Sequence, residues 1–261
     1  MVHRLLQHRS LVWQFVKRDI QARYRGSSLG MAWSFITPLL MLAVYTFVFR
    51  EVFKARWGSG EGGGLEFALY VYAGLVVFNF FAEIANRAPR LIVDQPNLVK
   101  KVVFPLDLLA WVALLAATFH LLVSSAVLLL AALWAGYASW SMLWLPLVWL
   151  PLFPLLLGLS WFLAGLGVYL RDIGQLLNLL ISLLMFLTPI FYPVSALPER
   201  WRPWLALNPL VPLIEDTRRV LLQGEWPDFH RLTLMLAFSL LVAVLGRLWF
   251  RVTRRGFADV L

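Results

Sequence analysis

Long apolar runs alternate with short polar, mostly basic breaks along the whole chain. Six runs approach or exceed the roughly 20 residues needed to cross a bilayer as a helix. They lie at about Met31–Phe49, Phe67–Ala85, Leu108–Leu133, Met142–Leu170, Leu176–Tyr192 and Leu232–Phe250. Only helices or closed barrels satisfy their backbone inside a membrane. The pattern therefore predicts an all-α integral membrane protein with six transmembrane helices. Pro38 falls inside the first run, and Pro146, Pro151 and Pro154 interrupt the fourth. Membrane helices tolerate such prolines when neighbours satisfy the freed carbonyls.

The breaks carry their own patterns. In Ser10–Arg25, Val12, Val16, Ile20 and Tyr24 recur every four residues beside Trp13, and Gln14, Arg18, Gln21 and Arg25 recur on another side. This predicts an amphipathic helix at the level of the headgroups, or a basic anchor that only fixes topology. Asn86–Asp107 is polar and basic, and Pro96 and Pro105 bracket a short helix over Asn97–Phe104. It is either a handle through which another protein moves the membrane part or an ordinary connector. Gly58–Gly64 predicts a flexible loop. Gln175, Asn178 and Ser182 form a polar stripe on the fifth run, facing a pathway or another helix. Pro193–Asp228 is proline-rich and too broken to span. With Trp201, Trp204 and Trp226 it predicts short interfacial or re-entrant helices between spans five and six.

Composition excludes a soluble globule. Of 261 residues, 61% are apolar and 14% charged, with mean hydropathy +0.76, against roughly 45–50% and about 25% for soluble domains. One membrane domain over residues 1–261 is expected, with an interface segment at 1–30, the bundle at 31–250 and a tail at 251–261. The charged segment Lys17-Arg18-Asp19 follows the basic N-terminus where a cleaved signal peptide would have an apolar region, so none is expected. Six crossings put both termini on one face. That face carries 15 of the 23 Lys/Arg and six of the 14 Asp/Glu, so the net charge of +9 lies wholly there. The positive-inside rule makes it cytoplasmic. The excess suits anionic headgroups and an acidic partner better than nucleic acid, for which no motif is present.

The chemistry is sparse. Without cysteine there is no thiolate metal site or thiol nucleophile. No G-x-x-x-x-G-K-[ST] is present, so the chain holds no nucleotide in a P-loop. No His, Asp and Glu cluster has metal spacing. His120, near Ser124, is expected to make a structural hydrogen bond. Glu83 is the one carboxylate in a run and can pair with Arg87 four residues on. Glu215-Asp216 beside Arg218-Arg219 suggests a solvated, self-paired helix face. Trp33, Tyr45 and Phe49, with Phe186 and Tyr192, could line a pathway by stacking sugar rings, or face lipid or core. Arg171 and Asp172, in a tight polar turn, are expected to hold the start of the fifth helix by capping and pairing.

Several segments in order resemble the membrane subunit of ABC-2-type polysaccharide exporters (the O-antigen, capsule and teichoic acid classes). They are Lys17-Arg18-Asp19-Ile20-Gln21-Ala22-Arg23-Tyr24-Arg25-Gly26 running to Trp33 and Pro38; Pro89-Arg90-Leu91-Ile92; Asn97-Leu98-Val99-Lys100-Lys101-Val102-Val103-Phe104-Pro105; Tyr169-Leu170-Arg171-Asp172-Ile173 with Thr188-Pro189-Ile190-Phe191-Tyr192-Pro193; and Leu207-Asn208-Pro209-Leu210. The resemblance implies a homodimer in the bacterial inner membrane moving undecaprenyl-linked polysaccharide through alternating rearrangements. A separate ABC ATPase would bind ATP and Mg²⁺, leaving this chain with no cofactor and no enzymatic role of its own. It further implies that Asn97, Leu98, Val99, Lys100, Lys101 and Phe104 couple to the ATPase. Lys17, Arg18, Asp19, Arg23, Tyr24 and Arg25 would belong to the interface helix. A drug or small-lipid exporter of the same superfamily is the alternative, although the short Arg50–Glu66 loop argues mildly against it. A membrane enzyme acting on lipid-linked sugars is a more distant one, needing converging acids or histidines that this chain does not supply.

Overall fold

The computed structural model describes residues 2–52, 64–100, 104–205 and 207–261. Most of the glycine loop and Lys101, Val102 and Val103 lie outside the described residues. Among the described residues every regular element is a helix. Five are long and apolar enough to cross a membrane: Gly30–Val52, Gly64–Arg87, Leu108–Trp134, Trp140–Tyr169 and Phe229–Val260. We call these spans one, two, three, four and six. The fifth apolar run forms a shorter helix, Ile173–Leu187. At 1.5 Å per residue it covers about 22 Å, less than the hydrocarbon thickness. It ends where Pro189 follows Thr188, because a residue before proline is driven to extended backbone, and Thr188 has ψ 136.

Span two is the centre of the bundle. Its most apolar window is 78% buried, against 6% for span one. Spans one, three and four, the fifth helix and the Leu210–Arg218 helix all pack on it. Burial on every side explains why this run is apolar all round rather than striped. Span one instead leaves Leu39, Leu40, Val44 and Phe47 outward.

Spans four and six form the most extensive helix pair. Their backbones meet at Gly158 and Gly246, where a Cβ on Gly158 would stand 2.5 Å from the Val242 carbonyl oxygen. Between membrane helices, attraction rests on close packing, so small residues set the approach. Gly158→Leu should therefore wedge the pair apart, at a cost of roughly 1–3 kcal/mol or more. The check is the melting temperature of the detergent-solubilised protein, which should fall clearly below wild type.

The segment between helices five and six turns back into the protein. Leu210–Arg218 continues into a wide helical turn, Arg219–Gln223, ended by Gly224 at φ 69. Leu213, Ile214, Val220 and Leu221 are buried, which fits a re-entrant helix held inside protein. The solvated acid–base face expected at Glu215–Arg219 is overturned, because Asp216 and Arg218 are both 1% exposed. Arg218 donates to the carbonyl oxygens of Tyr70 (2.9 Å), Pro189 (2.7 Å) and Ile190 (2.8 Å), and to Glu215 (2.9 Å). Gly74 leaves room for it; a Cβ there would lie 3.0 Å from a guanidinium nitrogen. Burial pulls Arg218 down to about 10 and the Glu215 carboxylate opposes this, so the cation persists at neutral pH. Nearby, Asn208 donates to Thr188 Oγ1 at 2.8 Å, and its own Oδ1 accepts from the Leu210 N–H. Trp149 Nε1 donates to Thr217.

Both chain ends sit on one face of the fold. The N-terminal helix Arg9–Tyr24 packs on the start of span three, and the C-terminal turn Phe257–Val260 packs on Pro96–Lys100, just before that start.

Candidate functional site

The basic face gathers the N-terminal helix, the Asn86–Asp107 segment and the beginnings of span three and the fifth helix. The helix Arg9–Tyr24 buries Val12 and Val16 against Leu108, Val112 and Ala116. Farther along, Arg23 and Tyr24 reach His120. The helix therefore runs beside span three for about 16 Å, eleven residues at 1.5 Å each. Its apolar stripe is spent on protein, and Trp13 alone among its large apolar side chains stays well exposed.

An ion network ties this helix to spans two and three. Arg23 donates to Glu83 at 2.7 Å and lies 2.9 Å from His120 Nδ1; His120 is 3.1 Å from Glu83. One Arg87 nitrogen reaches both carboxylate oxygens of Asp19 at 2.7 Å, and the other stands 3.8 Å from Glu83. Glu83 thus meets Arg87 as expected, but its closer partners come from other helices. His120 makes the structural contact expected of it, with Glu83 and Arg23 rather than Ser124. The signal was present in the sequence: the lone carboxylate and the lone histidine within apolar runs had each other as the natural partner.

Beside the network opens a polar cleft of about 750 Å³. Arg18 from the N-terminal helix, Arg25 just past its end, and Arg87 and Arg90 from the central segment line it, with Asp19, Asp94 and Asn178. The helix face carrying Arg18, and the Arg25 that follows the helix end, therefore look into this cleft. Phe15, Leu91, Leu109 and Val112 form its apolar part.

The central segment folds as two short helices, Arg90–Val93 and Pro96–Lys100. Pro96 starts the second, where its missing N–H costs nothing. Asn97 and Lys100 are exposed, while Leu98 and Val99 lean on the core. Phe104 packs on Phe15 with centroids 5.3 Å apart, linking the segment to the N-terminal helix. Pro89 sits directly on Gly167, where a Cβ would collide with the Pro89 carbonyl. Phe257 is fully buried beside Tyr169, whose hydroxyl donates to the Thr253 carbonyl at 2.8 Å. Lys17 is exposed.

One expectation changes. Asp172 occupies the position before the fifth helix but makes no side-chain capping bond; its backbone carbonyl accepts from Gln175 and Leu176. Among the described residues neither Arg171 nor Asp172 forms an ion pair, since both point outward. The aromatic residues proposed for a pathway fall in separate places. Trp33 donates to Ser27, while Tyr45 and Phe49 stack at 6.4 Å, with Phe49 on Phe67. Phe186 is outward, and the Tyr192 hydroxyl donates to the Phe186 carbonyl at 3.1 Å. Tyr192 also lines an apolar groove of about 600 Å³ with Phe81, Trp201 and Trp204. In the polar stripe, Ser182 bonds the Asn178 carbonyl of its own helix.

The ABC-2 type transporter family profile matches residues 10–222. The chain belongs to the ABC-2 type transporter family. This ABC-2 chain is a multi-pass membrane transport subunit rather than an enzyme. It is 28% identical over 262 residues to an O-antigen export system permease protein RfbA of Myxococcus xanthus, covering 99% of this chain and 98% of that protein. It is 24% identical to the protein of the same name from Klebsiella pneumoniae, covering 94% and 92%. A polysialic acid transport protein KpsM of Escherichia coli is 24% identical over 90% of each chain.

Proposed function

We propose that this chain is the membrane subunit of an exporter that moves lipid-linked polysaccharide out of the cytoplasm. The observation that carries this reading is similarity along nearly the full length of both chains to proteins named for O-antigen export and polysialic acid transport. ATP hydrolysis belongs to a separate ABC ATPase, which holds the ATP and Mg²⁺. The basic face is cytoplasmic in the inner membrane, a reading supported by its share of the positive charge. The polysaccharide it moves is undecaprenyl-linked. Two copies form the path, with span one and the fifth helix at their junction. The outward Leu39, Leu40 and Val44 on the one, and Leu179, Leu183 and Leu187 on the other, support that arrangement.

The test is deletion of the gene followed by analysis of the cell surface and cytoplasm. Polymer should disappear from the surface and accumulate inside, and complementation should restore it. An unaltered surface polymer would sink the reading.

In this proposal Pro96–Lys100 is the docking point for the ATPase. Exposed Asn97 and Lys100 meet the partner, while Leu98, Val99 and the Phe257 turn brace the helix from behind. Reversing charge with Lys100→Glu and Lys101→Glu should lower co-purification of the ATPase by roughly tenfold, through like-charge repulsion at an interface. Membrane insertion should be unchanged. Recovery of the ATPase at wild-type ratio would remove the docking assignment.

A further inference from the structure

We infer that the cavity between the re-entrant helix and the start of span six holds the headgroup of a phosphatidylethanolamine, whose ammonium meets Asp216 and whose phosphate meets Arg231. The cavity, of about 590 Å³, lies at the end of span six away from the basic face. Asp216, Glu215 and Arg219 line it from the re-entrant segment, and Arg231, Leu234 and Met235 from span six. The inference goes beyond export and needs only that span six crosses the bilayer.

The decisive group is Asp216. It is 1% exposed, and among the described residues its Oδ2 is buried with no hydrogen-bond partner. The Asp228 backbone serves this carboxyl but leaves Oδ2 unmet. A buried carboxylate is costly unless donors meet it. The neighbouring charges are already matched. Glu215 accepts from Arg218 at 2.9 Å, and Arg219 pairs with Glu225 at 3.0 Å. Arg202 donates to the Leu197 and Ser195 carbonyls. Arg231 is the exception. Its one ion pair among the described residues, to Asp228, is 3.7 Å long, beyond hydrogen-bond reach, and its side chain is half exposed. Burial pushes the Asp216 carboxyl up and the Arg231 charge opposes this, so the two groups feel each other within the cavity. The cavity thus offers a carboxylate oxygen without a donor and a loosely held guanidinium. A ligand that carries both a cation and an anion answers both.

The apolar wall selects a lipid over a soluble zwitterion. Arg231 is in the first turn of span six, and Leu234 and Met235 are in its second. Leu234, Phe238, Leu241 and Leu245 follow at steps of four, three and four, so they share one helix face, and all are exposed. An acyl chain can lie along that track with its headgroup at Arg231, the level at which long basic side chains reach the membrane–water boundary. Exposed Trp226, two residues before the cap Asp228, marks the same level. The headgroup chemistry is selective as well. A primary ammonium donates hydrogen bonds to a carboxylate, whereas the methylated nitrogen of choline has no N–H to give. Phosphatidylglycerol brings no cation for Asp216.

The experiment titrates the full chain in detergent with phosphatidylethanolamine, phosphatidylcholine or phosphatidylglycerol of matched acyl chains, and native mass spectrometry gives the affinity for the first lipid bound. Phosphatidylethanolamine should bind roughly tenfold more tightly than either, the effect of a charge-assisted bond. Asp216→Asn should erase its advantage over phosphatidylcholine. Arg231→Gln should weaken both of these lipids alike, by roughly tenfold, and keep their ratio, because both carry the phosphate. Asp216→Asn is isosteric and removes an unmet charge, so its melting temperature should not fall. If that variant fails to fold, Arg231→Gln, at a half-exposed site, still decides. Equal binding of ethanolamine and choline lipids by the wild type would overturn the assignment. So would a preference for phosphatidylglycerol, an ethanolamine preference that survives Asp216→Asn, or unchanged binding in Arg231→Gln. Soluble glycerophosphoethanolamine should compete poorly; competition as strong as the lipid's would overturn the lipid as the source of the headgroup.

Discussion

Arg218→Ala should nearly abolish folded protein in the membrane. The guanidinium ties the re-entrant helix to span two and to the turn after the fifth helix at once, through Tyr70, Pro189 and Ile190. Its removal leaves those carbonyls without their donor in a buried setting, and the partly exposed Glu215 carboxylate without its partner. Breaking a buried charged cluster by deleting one member costs about 3–5 kcal/mol. That is a large part of the stability of a typical domain, about 5–15 kcal/mol. Arg218→Lys keeps the charge but offers one nitrogen in place of three donors on a planar fork. It should fall between wild type and alanine. Fluorescence-detected gel filtration of the solubilised protein gives the monodisperse fraction for each. A wild-type yield for the alanine variant would show that the re-entrant segment is held by its apolar contacts alone.

The contrast between what the sequence showed and what it hid follows from the range of the interactions. Span positions follow from local hydropathy, and the structure places span three at Leu108–Trp134 against an expectation of about Leu108–Leu133. Turn chemistry was only partly read: Pro96 began a short helix as expected, whereas the fifth helix stops at Leu187, before Thr188-Pro189 and short of the expected run to Tyr192. Side-chain partners were another matter. Arg218 beside Glu215 and Asp216 looks like a solvated surface until long-range packing closes over it, because i,i+3 pairing has the same pattern on a wet face and a dry one. The basic stripe of Arg18 and Arg25 was visible, but the cleft it faces depends on Arg87 and Arg90, more than 60 residues away. The expected capping by Asp172 failed for the opposite reason. Asp at that position favours a cap in general, yet here the backbone carbonyl alone begins the helix and the side chain turns to solvent.

Glu83 is the hub of the network on the basic face, and this gives an asymmetric expectation. Glu83→Gln removes the one negative charge shared by Arg23, Arg87 and His120. The two arginines then face each other across a partly buried site, with only Asp19 left as an acid. Arg23→Gln removes one partner, while Glu83 keeps His120 at 3.1 Å and Arg87 at 3.8 Å. The glutamate variant should therefore lose about 2 kcal/mol, below the cost for a fully buried pair because Arg23 is partly exposed. The arginine variant should lose less than half of that. Combining the two should cost less than their sum by about 1 kcal/mol, as expected for groups in direct contact. The loss should be local. Hydrogen exchange should quicken over Arg9–Tyr24, because the network is what pins the far end of that helix once the Val12 and Val16 contacts end. If that helix also passes motion between the ATPase and span three, Glu83→Gln should bind the ATPase normally and export poorly. A larger effect from Arg23→Gln than from Glu83→Gln, in either exchange or stability, would show that the helix is held by Arg23 alone and that Glu83 is not the hub.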